Sequence, residues 1–309
     1  MRLLITGGTG FIGQALCSHL IRHGHEVFVL TRQSRRLNVE KGDSLSPIRF
    51  LEWEGSEWPH VLETCDGLVN LAGESIASKR WSRRQKIQIR ESRIQSTHRL
   101  VDAMTRLSRR PNVLINASAI GYYGPHSDEL LDESAPAGKG FLAHICQMWE
   151  NEASRAESLG VRVIRLRIGL VLAAGAGALA KMVDPFRFFV GGVLGSGRQW
   201  VSWIHRDDLV ALIEWLLSHA QVTGAVNATA PEPVTMRAFC RSLADRMHRP
   251  CWVPVPAVAL RVMLGEMATL LLTGQRVFPR VCLQAGYRFR YGQLLPALEA
   301  CLSSSVGHR

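Results

Sequence analysis

The segment Leu3–Gly13 places Gly7, Gly8, Gly10 and Gly13 directly after a short apolar run. The letters LLIT before the glycines predict a buried strand, and a periodicity typical of a helix follows them. A secretory signal needs an unbroken apolar core, which these glycines interrupt. A strand, a glycine turn and a helix in this order let backbone N–H groups approach a pyrophosphate. The spacing G-x-x-G-x-x-G therefore predicts a dinucleotide site formed by Gly7, Thr9, Gly10, Phe11, Ile12 and Gly13.

Short apolar runs alternate with helical patterns through the first half of the 309-residue chain. Strands separated by helices indicate parallel βαβ units, and therefore an α/β fold with a doubly wound parallel sheet of the Rossmann type. The predicted strands are 2–6, 26–31, 48–53, 67–72, 112–119 and 161–168. The predicted helices are Gln14–His23, a basic segment after residue 79, and a stretch around 142–158.

The composition changes after residue 168, where glycine-rich stretches and five prolines between residues 231 and 256 indicate frequent turns. We predict a Rossmann domain over residues 1–168, completed by elements within 205–230. We predict a smaller α+β substrate lobe over residues 169–309, with a C-terminal domain at about 250–298 inside it.

The end of the second predicted strand distinguishes between dinucleotides, because an acidic residue there binds the free 2′-hydroxyl of the adenosine ribose. This chain has Thr31 and Arg32 at that place, with Arg35 and Arg36 beyond them and no acid among these residues. The planar guanidinium of arginine suits a 2′-phosphate. We therefore predict NADP(H) as the cofactor, with Thr31 and Arg32 in its binding site.

The formal net charge of +11 is concentrated in residues 79–110, which hold eleven Lys and Arg against two acids. Such a block can bind nucleic acid. The same segment also has a helical pattern that begins with a capping box at Ser82 and Gln85. Its apolar face is predicted at Ile87, Ile94, Val101 and Met104. We therefore expect a solvated helix face rather than a nucleic-acid surface.

The remaining composition is that of an ordinary globular protein, with 47% hydrophobic residues. We predict no membrane span, because no stretch of about 18 residues is uniformly apolar. Seven cysteines without a CxxC pair are typical of reduced thiols, which predicts a cytoplasmic protein. His19, His23 and His25 lie close in sequence without a carboxylate partner or a fourth ligand, so we predict no metal site.

Four motifs of the chain together resemble one superfamily, the extended short-chain dehydrogenases/reductases. They are TGGTGFIG at 6–13, NLAGE at 70–74, SAIGYYG at 118–124 and WIHRDDL at 203–209. Longer stretches at 70–81, 141–150, 191–205 and 255–280 resemble an atypical branch, the sugar-nucleotide-epimerase-like proteins named epimerase family proteins. The last of these stretches is similar to the C-terminal domain of unknown function found in that branch. The resemblance covers nearly the whole chain.

The resemblance implies roles for residues at two strand ends. Leu71, Ala72 and Gly73 would pass beside the cofactor, and Glu74 would face the cofactor or substrate, or simply begin a helix. Ser118 would hydrogen-bond the reacting oxygen of the substrate. A gapless alignment on the following Tyr-Gly places Ala119 there instead, and the sequence leaves both alternatives open.

The chain departs from the superfamily at its Tyr-x-x-x-Lys pair, in which Tyr transfers the proton and Lys lowers its pKa. The matching positions hold Leu142 and Cys146, which cannot act as such a pair. Tyr122 and Tyr123, just past a predicted strand end, are the alternative acids.

In the second lobe, Arg198 is a candidate for binding an anionic group of the substrate, and His205 lies beside the expected substrate pocket. His205 and Asp208 could equally form a pair that fixes the interface between the lobes.

Two functions remain open at this point. One is an NADP(H)-dependent oxidoreductase or epimerase-like enzyme that acts on a small polar molecule, either neutral or anionic. The other is an NADP(H)-binding sensor or scaffold without catalysis, which the missing Tyr–Lys pair favours. The superfamily resemblance also allows a homodimer.

Overall fold

The computed structural model describes residues 1–32 and 48–303. The strands within these residues are β1 (Arg2–Thr6), β2 (Glu26–Thr31), β3 (Ile48–Glu52), β4 (Gly67–Asn70), β5 (Val113–Ala119), β6 (Leu130–Leu131), β7 (Arg162–Ile168), β8 (Leu170–Leu172), β9 (Trp200–Val201), β10 (Trp203–His205), β11 (Gly224–Ala228), β12 (Val234–Thr235) and β13 (Arg276–Val277).

The α-helices within the same residues are α1 (Phe11–Arg22), α2 (Glu57–Thr64), α3 (Arg83–Thr105), α4 (Phe141–Ser154), α5 (Gly177–Arg187), α6 (Arg206–Ser218), α7 (Met236–Met247), α8 (Ala257–Leu264), α9 (Thr269–Leu272), α10 (Arg280–Gln284) and α11 (Leu294–Ser303). Short 3-10 turns lie at Ile120–Tyr123, Arg155–Leu159 and Gly265–Ala268.

Seven parallel strands form the central sheet, in the order β11-β7-β5-β4-β1-β2-β3. The chain leaves β1 toward β2 and β3, and then returns to the other side of β1 to add β4, β5, β7 and β11. The predicted doubly wound parallel sheet is therefore confirmed. Its strand order reverses between β1 and β4, which is where such sheets bind ligands.

Successive residues of β1 face opposite sides of the sheet, as the two-residue period of a strand requires. Leu3 and Ile5 pack with α1 and α6 on one side. Leu4 packs with α2 and α3 on the other side. The middle of β1 is therefore apolar on both sides, because helices cover both faces of the sheet there.

Two predicted helices differ in detail from the observed ones. Helix α1 begins at Phe11 rather than Gln14, because the extended backbone of Gly10 caps it. The predicted cap of α3 is confirmed, since the Ser82 hydroxyl accepts a hydrogen bond from the Gln85 N–H at 3.1 Å.

The apolar face predicted for α3 is partly wrong. Ile87 is 45% exposed. In a helix of 3.6 residues per turn, residues seven apart are not quite aligned. Ile87, Ile94 and Val101 therefore shift progressively around α3 and do not all stay on its buried side. The buried face also includes polar side chains, and it consists of Gln85, Ile89, Thr97, Leu100, Val101 and Met104.

A second cluster of buried side chains lies beyond residue 168. It joins α5, α7 and α11 around Trp203 and Phe239. However, β11 extends the central sheet beside β7, and Cys282 and Tyr287 pack into the core of that sheet. Residues beyond 168 thus contribute to the core of the central sheet as well as to the second cluster. The division into domains at residue 168 stays a prediction.

The described part of the chain has no helix that is both long and apolar enough to cross a membrane.

A buried ion pair joins the central strands to α4. Both guanidinium–carboxylate contacts of Arg167 with Glu150, Nε–Oε1 and Nη2–Oε2, measure 2.9 Å, and each side chain is 4% exposed. Burial opposes the charge of Arg167, but the hydrogen bonds and charge of Glu150 outweigh it and hold its pKa above the ordinary value. Arg167 lies on β7 and Glu150 on α4, so this contact fixes the helix against the sheet.

Three further side chains complete the hydrogen bonds of this pair. The Ser118 hydroxyl donates to Glu150 Oε1 at 2.7 Å. Arg167 Nη1 donates to the Tyr123 hydroxyl at 2.9 Å, and Tyr123 donates to Asn227 Oδ1 at 2.7 Å. Because Asn227 lies on β11, this network of Ser118, Tyr123, Glu150, Arg167 and Asn227 spans three strands and one helix. We call it the buried network.

Glu150→Gln should lower the free energy of unfolding by about 3–5 kcal/mol, because it leaves the buried Arg167 charge uncompensated. Urea unfolding monitored by circular dichroism measures this change. Glu152→Gln is the matched control on the same helix. Its partner Arg155 is largely exposed, so the control should cost less than about 1 kcal/mol. Equal losses in the two variants would show that the buried pair has no special weight.

Candidate functional site

The carboxyl ends of β1, β4 and β5 are fixed by a chain of buried polar side chains. Thr6 donates to Asn70 Oδ1 at 2.5 Å. Asn70 Nδ2 in turn donates to Asn116 Oδ1 at 2.6 Å and to Thr97 on α3 at 2.8 Å. All four side chains are fully buried. The edge of the sheet at which the strand order reverses is thus held rigidly from three strands and a helix.

The glycine turn between β1 and α1 leaves no room for side chains at three of its positions. A Cβ on Gly8 would lie 2.8 Å from Val29 Cγ1. A Cβ on Gly7 would lie 2.6 Å from the Leu71 carbonyl oxygen, and Gly7 also has a φ of +69°. A Cβ on Gly13 would lie 2.1 Å from the Gly7 oxygen. Gly10 differs, because its nearest neighbour would be 3.2 Å away and the residue is exposed. Gly7 and Gly13 are required by packing, while Gly10 keeps the outer surface of the turn open.

The N-terminus of α1 points out of this turn. Gly10 provides no side-chain cap, and the first turn of α1 contains no acidic residue. The first N–H groups of a helix lack partners within the helix and carry partial positive charge. Thr9, Phe11 and Ile12 are half-buried around them. This arrangement suits an anionic group such as a pyrophosphate.

The end of β2 lies beside the turn. Thr31 is half-buried and Arg32 is exposed. Arg32 forms no ion pair with any residue that the structure describes. Arg35 and Arg36, which the sequence analysis placed next to it, lie outside the described residues.

The segment after β4 runs along the same edge. Leu71 is held against β1, because its N–H donates to the backbone oxygen of Thr6 at 3.1 Å. Leu71 and Ala72 are half-buried and Gly73 is exposed. The N–H of Glu74 donates to the Ser92 hydroxyl at 2.9 Å, and Glu74 is not part of a helix. The four predicted residues of this segment therefore line the edge next to the glycine turn.

Arg93 is a residue of this site that the sequence analysis missed. Its Nη1 donates to the backbone carbonyl oxygen of Glu74 at 3.0 Å. Its guanidinium carbon would lie 3.1 Å from a Cβ on Gly73. Burial lowers the pKa of Arg93. Arg93 comes four residues after Ile89 on the buried face of α3, so its position on that face was the signal that could have identified it.

Two of the predicted catalytic residues, Tyr123 and Ser118, are enclosed by the protein. Tyr123 is fully buried in the buried network, and burial, only partly offset by Arg167, raises its pKa to about 12. Ser118 is 3% exposed, and its hydroxyl hydrogen is directed to Glu150. The structure thus gives neither side chain the access to substrate that the sequence analysis expected. The strand continues one residue further, to Ala119.

Tyr122 has a different environment. It is half-buried, its ring stands edge-on to that of Tyr123, and the Arg167 guanidinium lies over its face at 3.4 Å from the centroid. Within the described residues its hydroxyl makes no hydrogen bond. Tyr122 is therefore the tyrosine of this turn whose hydroxyl remains available.

The two positions of the missing Tyr–Lys pair lie on α4 and face the end of β5. A Cβ on Gly121, in the turn after β5, would lie 3.4 Å from Leu142 Cβ. Cys146 is buried, and burial together with the nearby Glu150 charge raises the pKa of its thiol to about 11. Neither residue can exchange a proton with a ligand near neutral pH.

Three long-range hydrogen bonds join the loop before α3, and the segment after the turn at 195–197, to distant helices. Lys181 on α5 donates to the Ala77 oxygen at 3.0 Å. Arg80 donates to the Val262 oxygen at 3.0 Å, and Gln199 donates to the Leu271 oxygen at 2.7 Å. The segment from α8 to α9 therefore connects the loop before α3 with the glycine-rich turn at 195–197. Arg198 is exposed beside that turn.

His205 and Asp208 do not form the pair that the sequence analysis considered. The ring of His205 caps α6, accepts a hydrogen bond from the Asp207 N–H at 3.2 Å and packs on Tyr291. Asp208 accepts hydrogen bonds from the N–H groups of Arg290 and Tyr291, both at 2.8 Å. Burial lowers the pKa of His205 and raises that of Asp208, although the two backbone donors partly offset the latter shift. Each residue separately ties α6 to the C-terminal segment.

The expectation that His19, His23 and His25 have no carboxylate partner is wrong. Glu214 on α6 lies within hydrogen-bond distance of all three rings. The contact could not be read from the sequence because 195 residues separate Glu214 from His19.

Comparison with known proteins gives the same assignment along the whole chain. Residues 3–228 match the model of the NAD dependent epimerase/dehydratase family, and residues 255–301 match a domain of unknown function, DUF1731. The chain is 42% identical to "Epimerase family protein SDR39U1 homolog, chloroplastic" of Arabidopsis thaliana, covering 98% of this chain and 87% of the relative. It is 38% identical to "Epimerase family protein YfhF" of Bacillus subtilis, covering 98% of each.

Among solved structures, the human epimerase family protein SDR39U1 (isoform 2), determined with NADPH, superposes with a TM-score of 0.85. The two sequences are 31% identical, and the alignment covers 98% of this chain and 99% of the human one. The motifs, the parallel sheet and the matches agree, and the chain belongs to the NAD dependent epimerase/dehydratase family.

Proposed function

We propose that this chain binds NADP(H) across the turn between β1 and α1. The glycine turn supports this proposal most strongly, because it is tightly packed at Gly7 and Gly13 and leaves the N-terminus of α1 without a side-chain cap. The residues present therefore fit a dinucleotide pyrophosphate. The human relative at 31% identity, whose structure was determined with NADPH, supports the same ligand.

We propose that Arg32 selects NADP(H) over NAD(H). Arg32 is exposed at the end of β2, forms no ion pair with a described residue, and is preceded by Thr31 rather than an acid. A guanidinium next to a 2′-phosphate forms charge-assisted hydrogen bonds that a 2′-hydroxyl cannot match.

We propose that the protein is an oxidoreductase or epimerase-like enzyme whose substrate enters the cleft between the strand edge and the α8–α9 segment. The bound cofactor would supply a hydride, or accept one, at the nicotinamide. Tyr122 is the residue proposed to hold the proton that accompanies this transfer, because its hydroxyl is the one left available at the end of β5. The buried network, with Ser118 and Tyr123, would fix the turn that carries Tyr122.

The substrate is proposed to be a small polar molecule, and an anionic one fits best. Arg93 lies against Gly73, and Arg198 is exposed beside the turn at 195–197. His205 stays a substrate-binding prediction, with its capping role at α6 already established by its contacts. The loop before α3 and the first turn of that helix add Lys79, Arg80 and Arg84, which line a hollow of about 300 Å³.

A second function, an NADP(H)-binding sensor or scaffold without turnover, is favoured by α4. Leu142 and Cys146 occupy the places of the proton-transferring pair, and the Cys146 thiol is buried. This alternative needs the same cofactor site and differs only in the absence of proton transfer at Tyr122.

A nucleic-acid partner is not part of the proposal. Three of the eleven basic side chains of the segment at 79–110 form ion pairs with acidic residues elsewhere in the fold, since Lys86 pairs with Glu266, Arg99 with Glu54 and Arg109 with Asp66. A cytoplasmic location and a homodimer stay proposals from the sequence.

Arg32→Asp should weaken NADPH binding by about 10- to 100-fold and leave NADH binding nearly unchanged, because only NADPH carries the 2′-phosphate. Fluorescence titration of both cofactors measures the two affinities. Arg106→Asp is the matched control, because it makes the same charge change at the exposed C-terminal end of α3. If the two cofactors lose affinity equally in Arg32→Asp, Arg32 does not bind the 2′-phosphate.

Purified protein saturated with NADPH should oxidise it when a panel of carbonyl compounds and quinones is supplied, as followed by absorbance at about 340 nm. Tyr122→Phe should lower that rate by about 10²- to 10⁴-fold without weakening NADPH binding, because it removes the proton donor alone. Tyr123→Phe is the control, and it should destabilise the fold yet retain the rate of the folded protein. NADPH that stays unoxidised across the panel would favour the sensor or scaffold function instead.

A further inference from the structure

Four side chains that the cofactor site does not use meet on one side of the sheet. His19 and His23 lie one helical turn apart at the C-terminal end of α1, and His25 precedes β2. Glu214 comes from α6, which packs against α1. We call these four residues the histidine–glutamate cluster. It joins the end of α1 and the start of β2 to α6, which is far along the chain.

The ligand atoms of this cluster already converge. His19 Nε2 and His23 Nδ1 each lie 2.7 Å from Glu214 Oε2, and His25 Nε2 lies 3.1 Å from Glu214 Oε1. One ligand atom from each of His19, His23 and Glu214 lies within 4.8 Å of the others. Tetrahedral zinc with bonds of about 2.0–2.2 Å separates its ligand atoms by about 3.3 Å. Small side-chain rotations therefore suffice to place a cation between these three residues.

The chemistry of the donors is that of a transition-metal site. Zinc is commonly bound by two imidazole nitrogens at positions i and i+4 of a helix together with one carboxylate from elsewhere in the chain. No other group of three His, Cys, Asp or Glu side chains converges in this way among residues 1–32 and 48–303.

The surroundings leave one side of the cluster open. A cavity of about 650 Å³ between α1 and α6 is bordered by His19, His23 and Arg22. Arg22 is exposed, and its Nε is held by the Ser18 oxygen at 3.3 Å. On the closed side, Nδ1 of His25 is buried without a hydrogen-bond partner, which leaves Glu214 as the polar contact of that ring.

We propose that His19, His23 and Glu214 form a binding site for a divalent transition-metal ion of the zinc type. His25 would orient the Glu214 carboxylate as a residue behind the ligands, and water from the cavity would take the fourth position. The ion would join the end of α1 to α6. Since His19 lies eight residues beyond Phe11, the site would be about 12 Å along the helix from the glycine turn, separate from the cofactor.

The test is isothermal titration of Zn²⁺ into full-length protein without a polyhistidine tag. We expect one equivalent to bind, and we expect His19→Gln, His23→Gln and Glu214→Gln each to weaken binding by at least about 100-fold. His25→Gln should weaken it by about 10-fold, as is usual for groups behind the ligands. Zn²⁺ at 100 times its dissociation constant should also raise the Tm of the wild-type protein by about 3 °C or more. The Tm of the ligand variants should not rise.

His98→Gln is the matched control. His98 also faces two carboxylates, Asp102 and Glu152, but Arg155 occupies the same group of side chains. This control should bind Zn²⁺ as the wild type does. NADPH affinity and circular dichroism verify that each variant is folded. The proposal is overturned if the wild type binds no stoichiometric Zn²⁺, or if the ligand variants bind it as well as His98→Gln does. In either case the cluster is a hydrogen-bonded contact between α1 and α6.

Discussion

The contact between the glycine turn and the end of β4 is the constraint on which the rest of the site depends. Gly7 lies against the Leu71 carbonyl and Gly13 against Gly7, with no space for a Cβ at either position. This contact fixes β1, α1 and β4 relative to one another at the place where the strand order reverses. It also leaves the N-terminus of α1 as the only positive end of a helix that the turn presents to a ligand. Binding of a dinucleotide thus follows from backbone packing.

The chemistry beyond binding depends on which groups can exchange protons. At the end of β5, Ser118 and Tyr123 use their hydroxyl groups inside the buried network, and Glu150 is paired with Arg167. On α4, Leu142 and Cys146 provide no acid or base. The network therefore stabilises the edge of the sheet but keeps its own groups from the substrate, so Tyr122 is the remaining candidate. The same edge gains a positive charge from Arg93, which lies on a helix face that is otherwise apolar or neutral.

Local patterns predicted most of the fold, and long-range contacts account for what they missed. The glycine turn, the strands of the sheet and the Ser82 cap depend on neighbouring residues, so sequence alone identified them. The face of α3 was predicted wrongly at Ile87, because its buried side includes polar Gln85 and Thr97, which an apolar pattern does not count. Glu214, and the backbone donors that hold Asp208, come from elements far along the chain. Burial of Ser118 and Tyr123 likewise depends on partners in three other elements.

In the proposed function, the cofactor binds over the exposed surface of the glycine turn. The affinity of Gly10→Val for NADPH and NADH, measured by fluorescence titration, tests this placement. Gly10 is exposed, and its Cβ would have a single neighbour at 3.2 Å, so a larger side chain should obstruct the ligand more than the fold. The account predicts that both cofactors lose at least about 100-fold in affinity, or about 2.7 kcal/mol, while circular dichroism stays that of the wild type. Wild-type affinity for either cofactor in this variant would contradict it.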